Sequence, residues 1–114
     1  WSDRVAAEFL TQGDVEKKEL LPVSPMCDRD TTYQDESSLG FCDFIVAPYL
    51  FNVSFLAPHV LVPACRVLAA NREIWHNMLA ERHGNNEEKM QPWVAKRDAF
   101  AGKVDAFLAK FPAC

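Results

Sequence analysis

Apolar residues recur at three- and four-residue intervals along most of this chain, and that period admits little besides helices. Between residues 60 and 79, Leu61, Cys65, Leu68, Trp75 and Leu79 step by 4, 3, 7 and 4, with Ile74 and Met78 beside them. Toward the carboxyl end, Trp93, Phe100, Val104, Phe107, Leu108 and Phe111 form a second stripe. Trp1, Val5, Phe9 and Leu10 form another, so the sequence reads as beginning inside an amphipathic helix, as the tail of a longer protein would. No period-two alternation of useful length and no internal repeat is present. The expected fold class is all-α.

Breakers set the expected boundaries. Gly13 suits a helix C′ position, so the first helix is expected from Trp1 to about Gln12. Asp14 would then cap a short polar helix, DVEKKEL, with a solvated face. Pro22 and Pro25 end it in a loop over residues 22–34. The next helix starts near Asp35 and carries the run SSLGFCDFIV. Phe41, Phe44, Ile45, Pro48 and Tyr49 are apolar almost all round it, which predicts a central helix, kinked or broken at Pro48. Gly40 is expected to allow a close approach. The expected division is 1–82, a linker over 83–92 (from HGNNEE), and an amphipathic helix over 93–114 opened by Pro92.

Charge and composition exclude several roles. Among 114 residues, 12 Lys and Arg against 16 Asp and Glu leave a formal charge of −4, with no basic cluster for nucleic acid. Asp43 interrupts the best apolar run, so no membrane span is expected. Cys27, Cys42, Cys65 and Cys114 include no CxxC pair. Scattered free thiols in a cytoplasmic protein are the expected state. His59, His76 and His83 belong to no ligand-pair motif and read as surface or internally satisfied residues. Neither a glycine-rich phosphate loop nor a GxSxG elbow occurs, so the chain holds no self-sufficient catalytic site. Val5, Phe9, Met26, Phe41 and Ile45 could line an apolar slot for a flat heterocycle, or could simply be core.

The blocks WSDRVAAEFLTQGDVEKKE, VSPMCDRDTT and GFCDFIV, in this order and without a gap from Trp1 to about Pro48, resemble the carboxyl-terminal third of class I cyclic-nucleotide phosphodiesterases. A later fragment, LAANREIWHNML, is similar to that family's penultimate helix. The resemblance covers roughly residues 1–80 and implies a segment of a larger, compact, all-helical catalytic domain. Such a domain hydrolyses cyclic AMP or cyclic GMP to the 5′-monophosphate with two metal ions, zinc and magnesium. The resemblance implies that the ligands of those ions lie upstream of Trp1, with no metal ligand and no catalytic residue in this chain.

The residues it carries over belong to the nucleotide-base pocket. Phe41 matches a phenylalanine that stacks on the purine, and Val5 an aliphatic residue pressing on the other face. Phe9, Met26 and Ile45 match apolar lining, and Ser2 a polar position near the base. The sequence departs from the family at Ser38, where a purine-reading glutamine is expected two residues before Gly40. A hydroxyl cannot offer the amide's simultaneous donor and acceptor. Gln34, one helical turn earlier, is a candidate substitute. The readings therefore include an active phosphodiesterase, a phosphodiesterase-like module without turnover, and an unrelated helical interaction protein. The expected partners are a cyclic nucleotide, the rest of the catalytic domain, and either a partner helix or the domain's own flank against residues 93–111.

Overall fold

The computed structural model describes residues 1–114, and every regular element in it is helical. In order these are α1 (Ser2–Lys18), α2 (Gln34–Phe41), a π-helical turn (Cys42–Val46), α3 (Ala47–Val53), α4 (Pro58–Arg82) and α5 (Glu87–Leu108). The chain divides into two compact units, Trp1–Ser38 and Leu39–Cys114.

In the first unit, α1 runs through Gly13 instead of stopping there, so the two helices expected around it are one. Glycine is needed for space. A Cβ at Gly13 would lie 1.8 Å from the carbonyl oxygen of Cys27, in the loop that returns along the helix. The loop is then tied down by polar contacts. Glu16 accepts from the Ser24 amide at 2.6 Å and from its hydroxyl at 2.7 Å, Lys17 pairs with Asp28 at 2.7 Å, and Arg29 pairs with Asp14 at 2.8 Å. Asp14 and Glu16 are loop anchors, not merely solvated charge. Gly13→Ala should therefore cost about 1–3 kcal/mol, the usual range for forcing atoms into filled space. Thermal unfolding measures it, and an unchanged melting temperature would show that the loop moves aside freely.

The apolar stripe of α1 is not covered. Trp1 is 93% exposed, and Val5, Phe9 and Val15 also face solvent. Buried positions in this unit are few: Gly13, Cys27 and Asp35. Polar ties, not an apolar core, organise it.

The second unit has the core. Its π-helical turn ends at Val46, two residues before Pro48, which sits in the first turn of α3. Proline there cannot donate to the carbonyl four residues back and its ring crowds that carbonyl. The wider turn, in which the Ala47 amide reaches the Cys42 carbonyl, relieves the crowding. Pro48 thus widens the helix locally without breaking it. Apolar character all round did not make this stretch central. Cys42 and Ala47 are buried, but Phe44 is 79% exposed, and Phe41, Ile45 and Tyr49 also face solvent. Nothing lies within 4 Å of where a Gly40 Cβ would sit, so Gly40 mediates no close approach here.

Helix α4 packs against both α3 and α5. Three apolar clusters fill the space: Cys42, Ala47, Phe100 and Val104; Leu39, Leu79 and Met90; and Val62, Cys65 and Phe107. Phe51 stacks on Phe107 with ring centroids 4.6 Å apart. Helix α5 thus supplies residues to every cluster, and the chain's own α3 and α4 cover its aromatic stripe. It begins at Glu87, with the Asn86 side chain accepting from the Lys89 amide, so Pro92 lies inside the helix. The expected linker shortens to residues 83–86, where Gly84 and Asn85 both take left-handed backbone angles and turn the chain tightly. Helix α4 carries a second apolar row, Val60, Val67 and Ile74, at seven-residue spacing and exposed.

Candidate functional site

Helices α1 and α2 bring together, within the first unit, the polar residues that the sequence singled out. The Ser2 and Ser38 hydroxyls lie 2.9 Å apart. The Gln34 amide nitrogen donates to Ser2 at 3.1 Å and to the Asp3 carboxylate at 2.6 Å. Asp3, which the sequence did not single out, is thus joined to Ser2, Ser38 and Gln34 in one network. Val5 and Phe9 stand one turn apart on α1, 43% and 42% exposed. Met26 is 46% exposed and occupies a left-handed turn, φ 66°, between Pro25 and the buried Cys27.

In the second unit, Phe41 and Ile45 lie four residues apart, at the end of α2 and within the π-helical turn, 54% and 55% exposed. None of the five apolar candidates is core. An exposed phenylalanine beside an exposed isoleucine is open apolar surface, the chemistry a flat ring can stack on.

Two further constellations lie in the second unit. Arg72, 2% exposed, grips Asp43 through both arms of its guanidinium, each bond 2.7 Å, and its guanidinium carbon sits 4.8 Å from the centroid of the Phe100 ring. The pair ties the π-helical turn to α4. It also explains Asp43, an acid alone in an apolar run.

One turn along α4, His76 is 4% exposed, so it is neither at the surface nor fully satisfied internally, the two states expected of it: its Nε2 lies 3.5 Å from an Arg97 guanidinium nitrogen and its Nδ1 has no partner. Burial, and then the Arg97 charge, hold its pKa below the ordinary 6.5. The sign follows. Above about 6.5 the ring is neutral both folded and unfolded. Below that, the unfolded chain takes up a proton that the folded one resists, so stability falls with pH until the folded ring titrates. His76→Gln should flatten this loss, measured by chemical denaturation between about pH 7 and 5. An identical slope in the variant would assign the loss to other groups. His76 also borders an open cleft of about 580 Å³ with Glu87, Glu88 and Gln91 on its rim.

The Cys42 thiol is not a nucleophile in waiting. All four cysteines are free, and Cys42 is pushed up to about 12, by burial first and then by the adjacent Asp43 charge. No three His, Cys, Asp or Glu side chains converge to hold an ion. The residues of this chain therefore do not themselves fit a two-metal centre. No helix is long and apolar enough to cross a membrane.

Comparison with known proteins bears on the first part of the chain, residues 1–65. The chain is 46% identical over 48 residues to the 3′,5′-cyclic-AMP phosphodiesterase 4C of Mus musculus, which is 42% of this chain and 7% of that protein. It is 50% identical over 48 residues, 42% of this chain, to the probable 3′,5′-cyclic phosphodiesterase pde-1 of Caenorhabditis elegans, again 7% of the relative. Over 63 residues, 55% of this chain, it is 43% identical to 8% of the dual specificity calcium/calmodulin-dependent 3′,5′-cyclic nucleotide phosphodiesterase 1 of Drosophila melanogaster. The chain thus matches less than a tenth of the length of these relatives. No solved structure matches it. The profile of the 3′5′-cyclic nucleotide phosphodiesterases matches residues 1–65, more than half of the chain, and to that family the chain belongs.

Proposed function

We propose that this chain is the carboxyl-terminal, base-pocket part of a cyclic-nucleotide phosphodiesterase that hydrolyses cyclic AMP, cyclic GMP or both to 5′-monophosphates. The supporting observation is the family match over residues 1–65, which contains every candidate pocket residue: Ser2, Val5, Phe9, Met26, Ser38, Phe41 and Ile45. In this reading Phe41 stacks on the purine and Val5 presses on its other face. Phe9, Met26 and Ile45 line the pocket, and Ser2 and Ser38 form its polar edge. The exposure of Val5, Phe9, Phe41 and Ile45 in the chain supports a role in contacting something other than its own core.

The hydrolytic chemistry then belongs to residues outside this chain. Two metal ions, zinc and magnesium, would be held upstream of Trp1 and would supply an activated hydroxide and a clamp on the phosphoryl oxygens. The segment described here binds and orients the base. Residues 1–82 would form the base-pocket part of the catalytic domain, with the protein acting in the cytoplasm.

Ser38 favours a second reading, a phosphodiesterase-like module that senses nucleotide or supports an assembly without turnover. Hydrolysis of cyclic AMP and cyclic GMP by the full-length protein with added magnesium separates the two. Release of either 5′-monophosphate is the expected result. No turnover of either would reject the enzyme.

A further inference from the structure

The network Asp3–Gln34–Ser2–Ser38 has a fixed polarity. A carboxylate only accepts, so the group that Gln34 presents to Asp3 must be its amide NH₂, and the carboxamide cannot be turned over without setting oxygen against oxygen. The 2.6 Å contact makes this a charge-assisted bond, the stronger kind. With the nitrogen committed to Asp3 and Ser2, the carboxamide oxygen remains as an acceptor of set direction. The serine pair behaves differently. Across the 2.9 Å between Ser2 and Ser38 either hydroxyl can be the donor, so the pair can present a proton or a lone pair as needed.

We propose that Gln34, oriented by Asp3, and the Ser2–Ser38 hydroxyl pair together read the purine edge, Gln34 being the specificity-determining residue and Asp3 its positioning residue. This rests on the base-pocket reading above and deepens it. A serine at position 38 alone leaves one adaptable contact. The network adds a fixed acceptor, which demands an N–H donor from the base. Adenine offers one on its exocyclic N6 amine, and guanine at ring N1 and on its exocyclic N2 amine, at different places on the edge. An acceptor of set direction therefore favours one purine, and the hydroxyl pair adjusts to the neighbouring acceptor, N1 of adenine or O6 of guanine.

The test is the affinity of the full-length protein for cyclic AMP and for cyclic GMP, read by calorimetry on folded variants. Gln34→Ala should weaken the preferred nucleotide about tenfold or more, as loss of a paired base contact does. Asp3→Asn, which can partner the Gln34 amide in either orientation, should shift the ratio of the two affinities by several-fold; a merely structural Asp3 would lower both alike. A Gln34→Ala protein that binds both nucleotides within about twofold of wild type overturns the inference. If Phe41→Ala weakens binding while Gln34→Ala does not, the inference alone has failed. If the wild-type protein binds neither nucleotide, the base-pocket reading has failed and takes this one with it.

Discussion

Arg72→Ala should lower the unfolding free energy of the chain by about 3 kcal/mol, the low end of the range for stripping a buried charge of its partner. The low end applies because Asp43, the charge left behind, keeps 20% exposure and some hydration. Arg72 is itself almost fully buried, so the variant also loses its packing on Phe100. Arg72→Lys should rescue little, since a single ammonium cannot reproduce two parallel 2.7 Å bonds to one carboxylate. The informative control is the double variant Asp43→Asn/Arg72→Met. Removing both charges abolishes the uncompensated carboxylate, so it should recover most of the loss. Chemical denaturation of the wild type, Asp43→Asn, Arg72→Met and the double variant closes the cycle. A single-variant cost under about 1 kcal/mol would mean that the pair behaves as a surface contact despite its burial.

That pair also marks where sequence reading stopped. The stripe read along α4 was 61, 65, 68, 75 and 79, because those positions are apolar. The buried residues are Val62, Cys65, Arg72, His76 and Leu79. The true inner face is turned slightly, and two of its members are polar types that any hydropathy rule assigns to solvent. Asp43 held the usable signal, as an acid isolated in GFCDFIV needs a partner if its neighbours are buried. Nothing local names Arg72 as that partner, 29 residues away.

Gly13 failed for a related reason. A glycine late in a helical pattern reads as a stop, and the return of Cys27 onto the helix is a tertiary fact that no periodicity contains. Pro48 was readable in part. Its disruption was expected, but its form, a π-helical turn upstream with the helix continuing, depends on how the preceding carbonyls can be accommodated. The all-α class was legible because helical period repeats over long stretches, whereas which stripe would be covered was not. The α5 stripe is buried against α3 and α4, while the α1 stripe and the aromatics around Phe41 are equally apolar and stand open. Amphipathicity states that a face suits apolar contact, not where that contact is to be found. The residues proposed for a base pocket were reached through the motif blocks, and the family match over residues 1–65 bears on those blocks.

Phe41→Ala should leave the stability of the chain nearly unchanged while weakening cyclic-nucleotide binding by about 5- to 150-fold, the equivalent of about 1–3 kcal/mol for a base stacked on an aromatic ring. The two halves of this expectation come from one observation. At 54% exposure Phe41 contributes modest burial to the fold, and removing it opens no core cavity, so a stability change within about 0.5 kcal/mol is expected. A core phenylalanine would behave in the opposite way, costing about 3–5 kcal/mol on truncation. The pair of measurements therefore separates a ligand-stacking wall from an ordinary packing residue. Phe41→Tyr keeps the ring face and should keep most of the affinity, whereas Phe41→Leu keeps apolar volume without a π-face and should lose most of it. Val5→Ala, removing two methyl groups from the proposed opposite wall, should cost a smaller factor in affinity and again little stability. If Phe41→Ala leaves the affinity unchanged, the exposed ring is not the purine's stacking partner, and the open apolar surface it shares with Ile45 must serve contact with protein instead.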